Sequence, residues 1–281
     1  MTAPMRSANP NTLRQPNMSI KMPPTIGEII GPMVAPPLGG LLVDHLGWRS
    51  VFWFAALVGA VVSVAAWIEL PETRRPTAAA RSSILRDYRV LFADRRFTAF
   101  VLQSGFMSGT FFATAAAAPF LMHEALGRSA TEFGLYFFLY PAGFCAGNFL
   151  SSRLAGRVAI EPMVLVGALF NFLAIGVEAA LLLGGYLSPL AIFVPGFFIT
   201  FGQGLALPNA QAGAIQAQPP LAGTAAGIGA FCQALASAIF VQLYGFFANG
   251  TVMPMVAVAA SSAVLAVLCG IVPMMGRRAP R

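Results

Sequence analysis

The chain has 281 residues, 57% of them apolar and only 10% charged, with a formal net charge of +7 at pH 7. An ordinary soluble domain carries roughly 25% charged residues, so this composition excludes a water-soluble fold and predicts an all-α polytopic membrane protein, in which each helix satisfies its own backbone. The positive excess does not mark a nucleic-acid reader, because the arginines sit in loops beside apolar spans, the pattern of membrane orientation.

Residues 1–25 are rich in Pro, Asn, Ser and Thr and lack an apolar run. They are expected to form a disordered segment, neither signal peptide nor span. Residues 26–70 read as a two-span hairpin. The first span, 26–46, contains GPMVAPPLGG at 31–40, with Gly31, Ala35 and Gly39 four apart. That spacing predicts a small-residue packing face. Pro36 and Pro37, beside Gly40, predict a bend whose freed carbonyls protein must cover. Glu28, at the edge of this span, is expected at the surface. The second span, 51–70, follows a tight turn at 45–49, and Trp48 and Trp53 suit an interfacial belt.

Residues 71–97 are a basic linker, with Arg74, Arg75, Arg81, Arg86, Arg89, Arg95 and Arg96 against Glu72, Asp87 and Asp94. A short surface helix is expected over 83–92. Six more spans follow within 98–275, at 98–122, 133–152, 162–184, 189–208, 222–247 and 252–275, and then a basic tail at 276–281. The last three contain no Asp, Glu, Lys, Arg or His. Eight spans leave both termini on one side. With that side cytoplasmic, only Arg49 and Arg128 among the Lys and Arg residues lie in outer loops, as the positive-inside rule requires.

Polar side chains inside apolar spans are the natural site candidates, since each is costly in hydrocarbon unless it faces protein or water. Gln103 with Phe106, Phe111 and Phe112 on the third span, Tyr136, Tyr140 and Asn148 on the fourth, Gln203 on the sixth and Gln233 on the seventh would together make an aromatic, weakly polar pocket. Such a pocket suits bulky amphipathic small molecules. Interhelical hydrogen bonding or core filling is the competing reading for each. Glu178 is an acid well inside the fifth span and a candidate for proton coupling. Against that stands its position within two turns of the span's outer end, where it could reach interfacial water.

Asp44, His45, His123 and Glu124 read as outer-loop residues, with pH sensing by His123 the alternative. Gly223 and Gly227, with Gly229 and neighbouring alanines, form a second small-residue face, readable as a gate or as close packing. Cys145, Cys232 and Cys269 stand alone in apolar spans and read as packing residues. Without clustered nucleophiles, metal-ligand spacing, paired carboxylates or a phosphate loop, the sequence predicts no enzyme, no metal and no cofactor.

The ordered set GPMVAPPLGG, LGWRSVFWF, LPETRR, the Arg-rich linker, APFLMHEALGRSATEFGLYF and PPLAGTAAGIGAF resembles the Bcr/CflA-type drug-efflux branch of the major facilitator superfamily, over nearly everything from Gly27 onward. There the Gly/Pro stretch lies in the fifth of twelve spans and is associated with antiporters; the matching positions here are Gly31, Ala35, Pro36, Gly39 and Gly40. The resemblance implies that the eight spans are the fifth to twelfth, with one complete six-helix half and two helices of the other. It implies proton-coupled efflux of drugs or small amphipathic metabolites across a bacterial inner membrane. The family's first four spans, which carry an intramembrane acid and a basic loop, have no counterpart here. A truncated gene, a mis-called start, and a chain completed in trans by an N-terminal fragment are the expected explanations. An importer of the same superfamily and a non-transporting fragment are the alternatives in function.

Overall fold

The computed structural model describes residues 26–69 and 84–275. The segment expected to be disordered, linker residues 70–83 and the tail at 276–281 lie outside them. Ten α-helices are described: α1 (Ile26–Leu46), α2 (Arg49–Glu69), α3 (Ile84–Ala93), α4 (Arg95–Phe120), α5 (Ala130–Phe137), α6 (Leu139–Leu154), α7 (Ile160–Leu183), α8 (Pro189–Ala217), α9 (Ala222–Phe247) and α10 (Met253–Met275). Among the described residues, six helical stretches between Arg95 and Met275 are long and apolar enough to cross a membrane. α1 and α2 have 21 residues each, about 30 Å at the α-helical rise.

Three boundaries differ from expectation, each for a local reason. The fourth span is two helices, α5 and α6, broken at Phe138. Pro141 has no amide to donate, and its ring crowds the carbonyl four residues back, at Phe137. The sixth span does not stop at Pro208 but runs on to Ala217, because Ala210, Gly213 and Ala214 still find cover: the first and last join a buried cluster with Phe97, Phe100 and Val101. The third span ends in a π-helical turn, Leu121–Ala125, after Pro119. The short surface helix is present as α3, but its Leu91 is fully buried in that same cluster, so it is docked on the bundle.

α4 and α8 form the centre, with α7 and α10 packed together and α9 lying against α4. The welds are glycines. A Cβ at Gly147 would overlap the Phe201 carbonyl, and one at Gly204 would lie 2.7 Å from the Asn148 nitrogen. Gly167 and Gly202 face each other's carbonyl oxygens across α7 and α8. In hydrocarbon no hydrophobic effect draws helices together, so dispersion gained by such close approach holds the body.

At one end of the body, Asp94 caps α4 by accepting from the backbone of Arg96 (2.8 Å) and Phe97 (3.2 Å), while Gln218 Nε2 donates to its other oxygen at 3.1 Å. The Arg96 guanidinium pairs with Glu161 at the start of α7. Charged groups thus cluster where helices end and water is available.

Candidate functional site

A cavity of about 280 Å³ opens between α4, α6, α8 and α9. Its walls are largely aromatic: Phe111 and Phe112 from α4, Phe137 and Tyr140 from the α5–α6 break, and Phe144 one turn on. Beside the break before Pro141, the Tyr140 ring meets both Phe137 and Phe111, with ring centroids 5.0 Å apart for Phe137–Tyr140 and 5.4 Å for Phe111–Tyr140. Such tilted and edge-on pairs are favourable beyond their buried area.

The polar groups are few and tied. Gln233 Nε2 donates to Ser108 Oγ at 2.8 Å, and its Oε1 accepts from Gln211 at 3.2 Å. Gln203 Nε2 donates to the Met107 carbonyl at 2.6 Å, linking α8 to α4. Thr200 uses its hydroxyl on the carbonyls of Gly196 and Phe197. An apolar pocket with a handful of fixed amide and hydroxyl groups suits a bulky, mostly apolar ligand, oriented by one or two hydrogen bonds.

Of the residues expected in a pocket, Phe111, Phe112, Tyr140, Gln203 and Gln233 line this one. Four are placed elsewhere. Gln103 is fully buried on another face of α4, its Nε2 2.7 Å from the Met107 sulfur. Phe106 packs edge-on against Phe240, centroids 6.0 Å apart. Tyr136 stacks on Phe193 at 5.8 Å, and Asn148 lies where α6 meets Gly204. None of these four lines the cavity in this conformation. Ser108, Phe137, Phe144 and Thr200 are wall residues that sequence reading missed. Ser108 was recoverable, since it lies three and four residues from Phe111 and Phe112 on one helix face.

The Gly/Pro stretch makes a seam, one register step from the expected face. Gly40 sits over the backbone of Ala130 and Thr131, where a Cβ would come 2.9 Å from Thr131 Cα, and Gly134 of α5 sits 2.6 Å on the same measure from the Pro36 carbonyl oxygen. Ala35 is exposed and Gly39 faces open space. The backbone of Pro36 and Pro37 lies so close to α5 that only a glycine fits opposite it. Asp44, expected as a plain loop residue, closes the seam by accepting from the Thr131 amide at 2.7 Å and from the Thr131 hydroxyl. It thereby caps α5 from a separate helix, a carboxylate at a positive helix end. Gly223 and Gly227 also face open space, while Ala225 between them is fully buried. His123 is exposed beside Glu124 at 3.3 Å.

Glu178 differs from its expected surroundings. It does not reach the interface: the side chain is fully buried and neither carboxyl oxygen has a hydrogen-bond partner. α7 packs between α8 and α10, which turns Glu178 inward.

Six helical stretches long and apolar enough to cross a membrane, with most charges at their ends, define a multi-pass membrane protein. The Major Facilitator Superfamily family model matches residues 25–241. The chain belongs to that superfamily.

Among curated relatives, a protein named bicyclomycin resistance protein homolog from Haemophilus influenzae is 26% identical over 250 residues, covering 87% of this chain and 62% of the relative. Multidrug resistance protein D from Escherichia coli is 30% identical over 240 residues, covering 82% and 57%. Multidrug transporter MdfA from Yersinia pestis is 28% identical over 142 residues, covering 50% and 35%. The chain thus spans about three fifths of the length of the first two.

Proposed function

We propose that this chain carries the drug-binding half of a proton-coupled exporter, and that the aromatic cavity between α4, α6, α8 and α9 is its substrate site. The observation that carries the reading is the wall itself: five aromatic rings around a volume of about 280 Å³, with Ser108, Gln203 and Gln233 among the few polar groups. The names of the relatives, which speak of drug and multidrug resistance, support the same substrate class.

In this reading α1 and α2 are also membrane spans, giving eight, and the Arg96 end faces the cytoplasm of a bacterial inner membrane with both termini. The seam between α1 and α5 then lies at the outer end and closes the outside. Alternating access needs two bundles rocking about a central site, so the partner is a complementary N-terminal bundle, in the same chain or in trans. The opening faces of α1 and α9, including Gly39, Gly223 and Gly227, are the surfaces it would use.

The test is binding and flux in two steps. The purified chain in lipid nanodiscs should bind tetraphenylphosphonium, and Phe112→Ala together with Gln233→Ala should weaken that binding at least about tenfold, roughly 1.4 kcal/mol. Unchanged affinity would remove the cavity from the reading. With the upstream spans restored, cells should accumulate more of the cation when a proton ionophore is added; flux in the opposite direction would assign an importer.

A further inference from the structure

α3 is short, amphipathic and set at the foot of a membrane-crossing helix. Its ten residues, about 15 Å of helix, are too few to cross hydrocarbon. One extended residue, Asp94, separates it from α4, and three contacts fix the corner. Leu91 is buried in the cluster with Phe97, Phe100 and Val101. Thr98 Oγ1 donates to the Phe92 carbonyl at 3.1 Å, and the Phe92 ring meets Phe97 edge-on, centroids 5.8 Å apart. α3 is thereby held at one rotation against the body.

That rotation leaves two chemistries outward. Leu85, Tyr88 and Phe92, three and four residues apart, share one stripe, and they stay 78%, 41% and 46% exposed. Arg86 and Arg89, three apart on the adjoining side, are exposed as well, with exposed Val90 among them and Asp87 the single acid of the helix. Past the corner, Arg95 is exposed in the first turn of α4, where the positive end of a helix gives a cation no support. The acids nearest in sequence and space are engaged: Asp94 caps the backbone and accepts from Gln218, and Glu161 holds Arg96. Over residues 71–97 arginines outnumber acids seven to three, so the corner carries a positive excess.

We propose that α3 is an interfacial helix that recognises anionic phospholipid headgroups in the leaflet at the Arg96 end of the body. Leu85, Tyr88 and Phe92 enter the acyl boundary, and Arg86, Arg89 and Arg95 donate to headgroup phosphates. Tyr88 suits that depth, because its ring can lie among acyl chains while its hydroxyl stays with the headgroups. An acidic soluble partner would leave the apolar stripe in water, and a neutral leaflet would leave the arginines unmatched; an anionic leaflet answers both. The inference needs the body to lie in a membrane and does not depend on the aromatic cavity being a drug site.

The test uses the full chain with Cys145, Cys232 and Cys269 replaced by serine and a nitroxide on Leu85→Cys, in nanodiscs of phosphatidylcholine with or without phosphatidylglycerol. With phosphatidylglycerol present, collisions of the label with oxygen should exceed those with a water-soluble nickel chelate by about threefold or more, and the excess should shrink as salt is raised. A label open to the chelate in both lipids, an excess equal in the two lipids, or a label shielded from both reagents by protein overturns the proposal. Arg86→Gln with Arg89→Gln and Arg95→Gln should lower the phosphatidylglycerol retained by the purified chain, relative to phosphatidylcholine, about tenfold, as counted by native mass spectrometry after an equal mixture is offered. Arg277→Gln with Arg278→Gln and Arg281→Gln removes the same charge elsewhere and should lower it by less than about twofold. Equal losses in the two triple variants assign the preference to net charge alone, and no loss in the first removes these arginines from the lipid contact; either result overturns the proposal. The label measurement requires none of the arginine variants and decides by itself if one of them fails to fold.

Discussion

Two glycine seams in this molecule do opposite jobs. Between α6, α7 and α8, Gly143, Gly147, Gly167, Gly202 and Gly204 bring backbone onto backbone within the body, where a side chain would collide with carbonyls that cannot move. Between α1 and α5 the same residue type makes a short contact, Gly40 and Gly134, at one end only, fastened by Asp44 on exposed Thr131. The first is a run of close backbone contacts with one side-chain bond across it, Asn209 Nδ2 donating to Ser151 Oγ at 2.7 Å, and the second is a short contact that leans on Asp44. Glycine alone therefore does not say whether a seam is permanent; the surrounding hydrogen bonds and the length of the contact do.

The largest effect should come from breaking the permanent seam. Gly147→Leu forces a branched side chain into the Phe201 carbonyl and should cost about 3 kcal/mol or more, seen as loss of folded protein in detergent denaturation. A variant as stable as the parent would show that α6 and α8 can part, and the contrast would fall. Next is Gly134→Leu, which should detach α1 while leaving the body folded. The separation between spin labels placed on Leu41→Cys and Leu135→Cys, both exposed positions of the two helices, in a background with Cys145, Cys232 and Cys269 replaced by serine, should then lengthen and broaden.

A smaller change is expected from Asp44→Asn, which keeps an acceptor for Thr131 but removes the charge at the helix end. The same label separation should broaden by less, and the difference from the parent should shrink as salt is raised. The smallest is Gly39→Leu or Gly227→Leu. Both positions face open space, so body stability should change by no more than about 0.5 kcal/mol. If either variant nonetheless abolishes efflux in a completed transporter, that face is used in another conformation of the cycle.

Much of the helical plan was legible because apolar length is a local property. α1 and α9 begin and end where the run of apolar residues does. The boundaries that moved were those near proline: a span broke one turn before Pro141, whereas α8 runs through Pro208 to Ala217. In the pocket, Phe111, Phe112 and Tyr140 could be picked by type, whereas Gln103 and Phe106 could not be told from them. Amides and rings look alike in sequence whichever way the helix is turned.

Composition and spacing were enough to determine a membrane-spanning helical protein with its charges at helix ends, since the cost of a bare amide or a charge in hydrocarbon is paid residue by residue. Only the tertiary structure decided that the Gly/Pro stretch packs through Pro36 and Gly40, that Asp44 caps a helix 87 residues away, and that Glu178 turns inward. Each of these depends on the rotation of one helix against another, which is set by packing between elements distant in the chain and leaves no trace in either one alone.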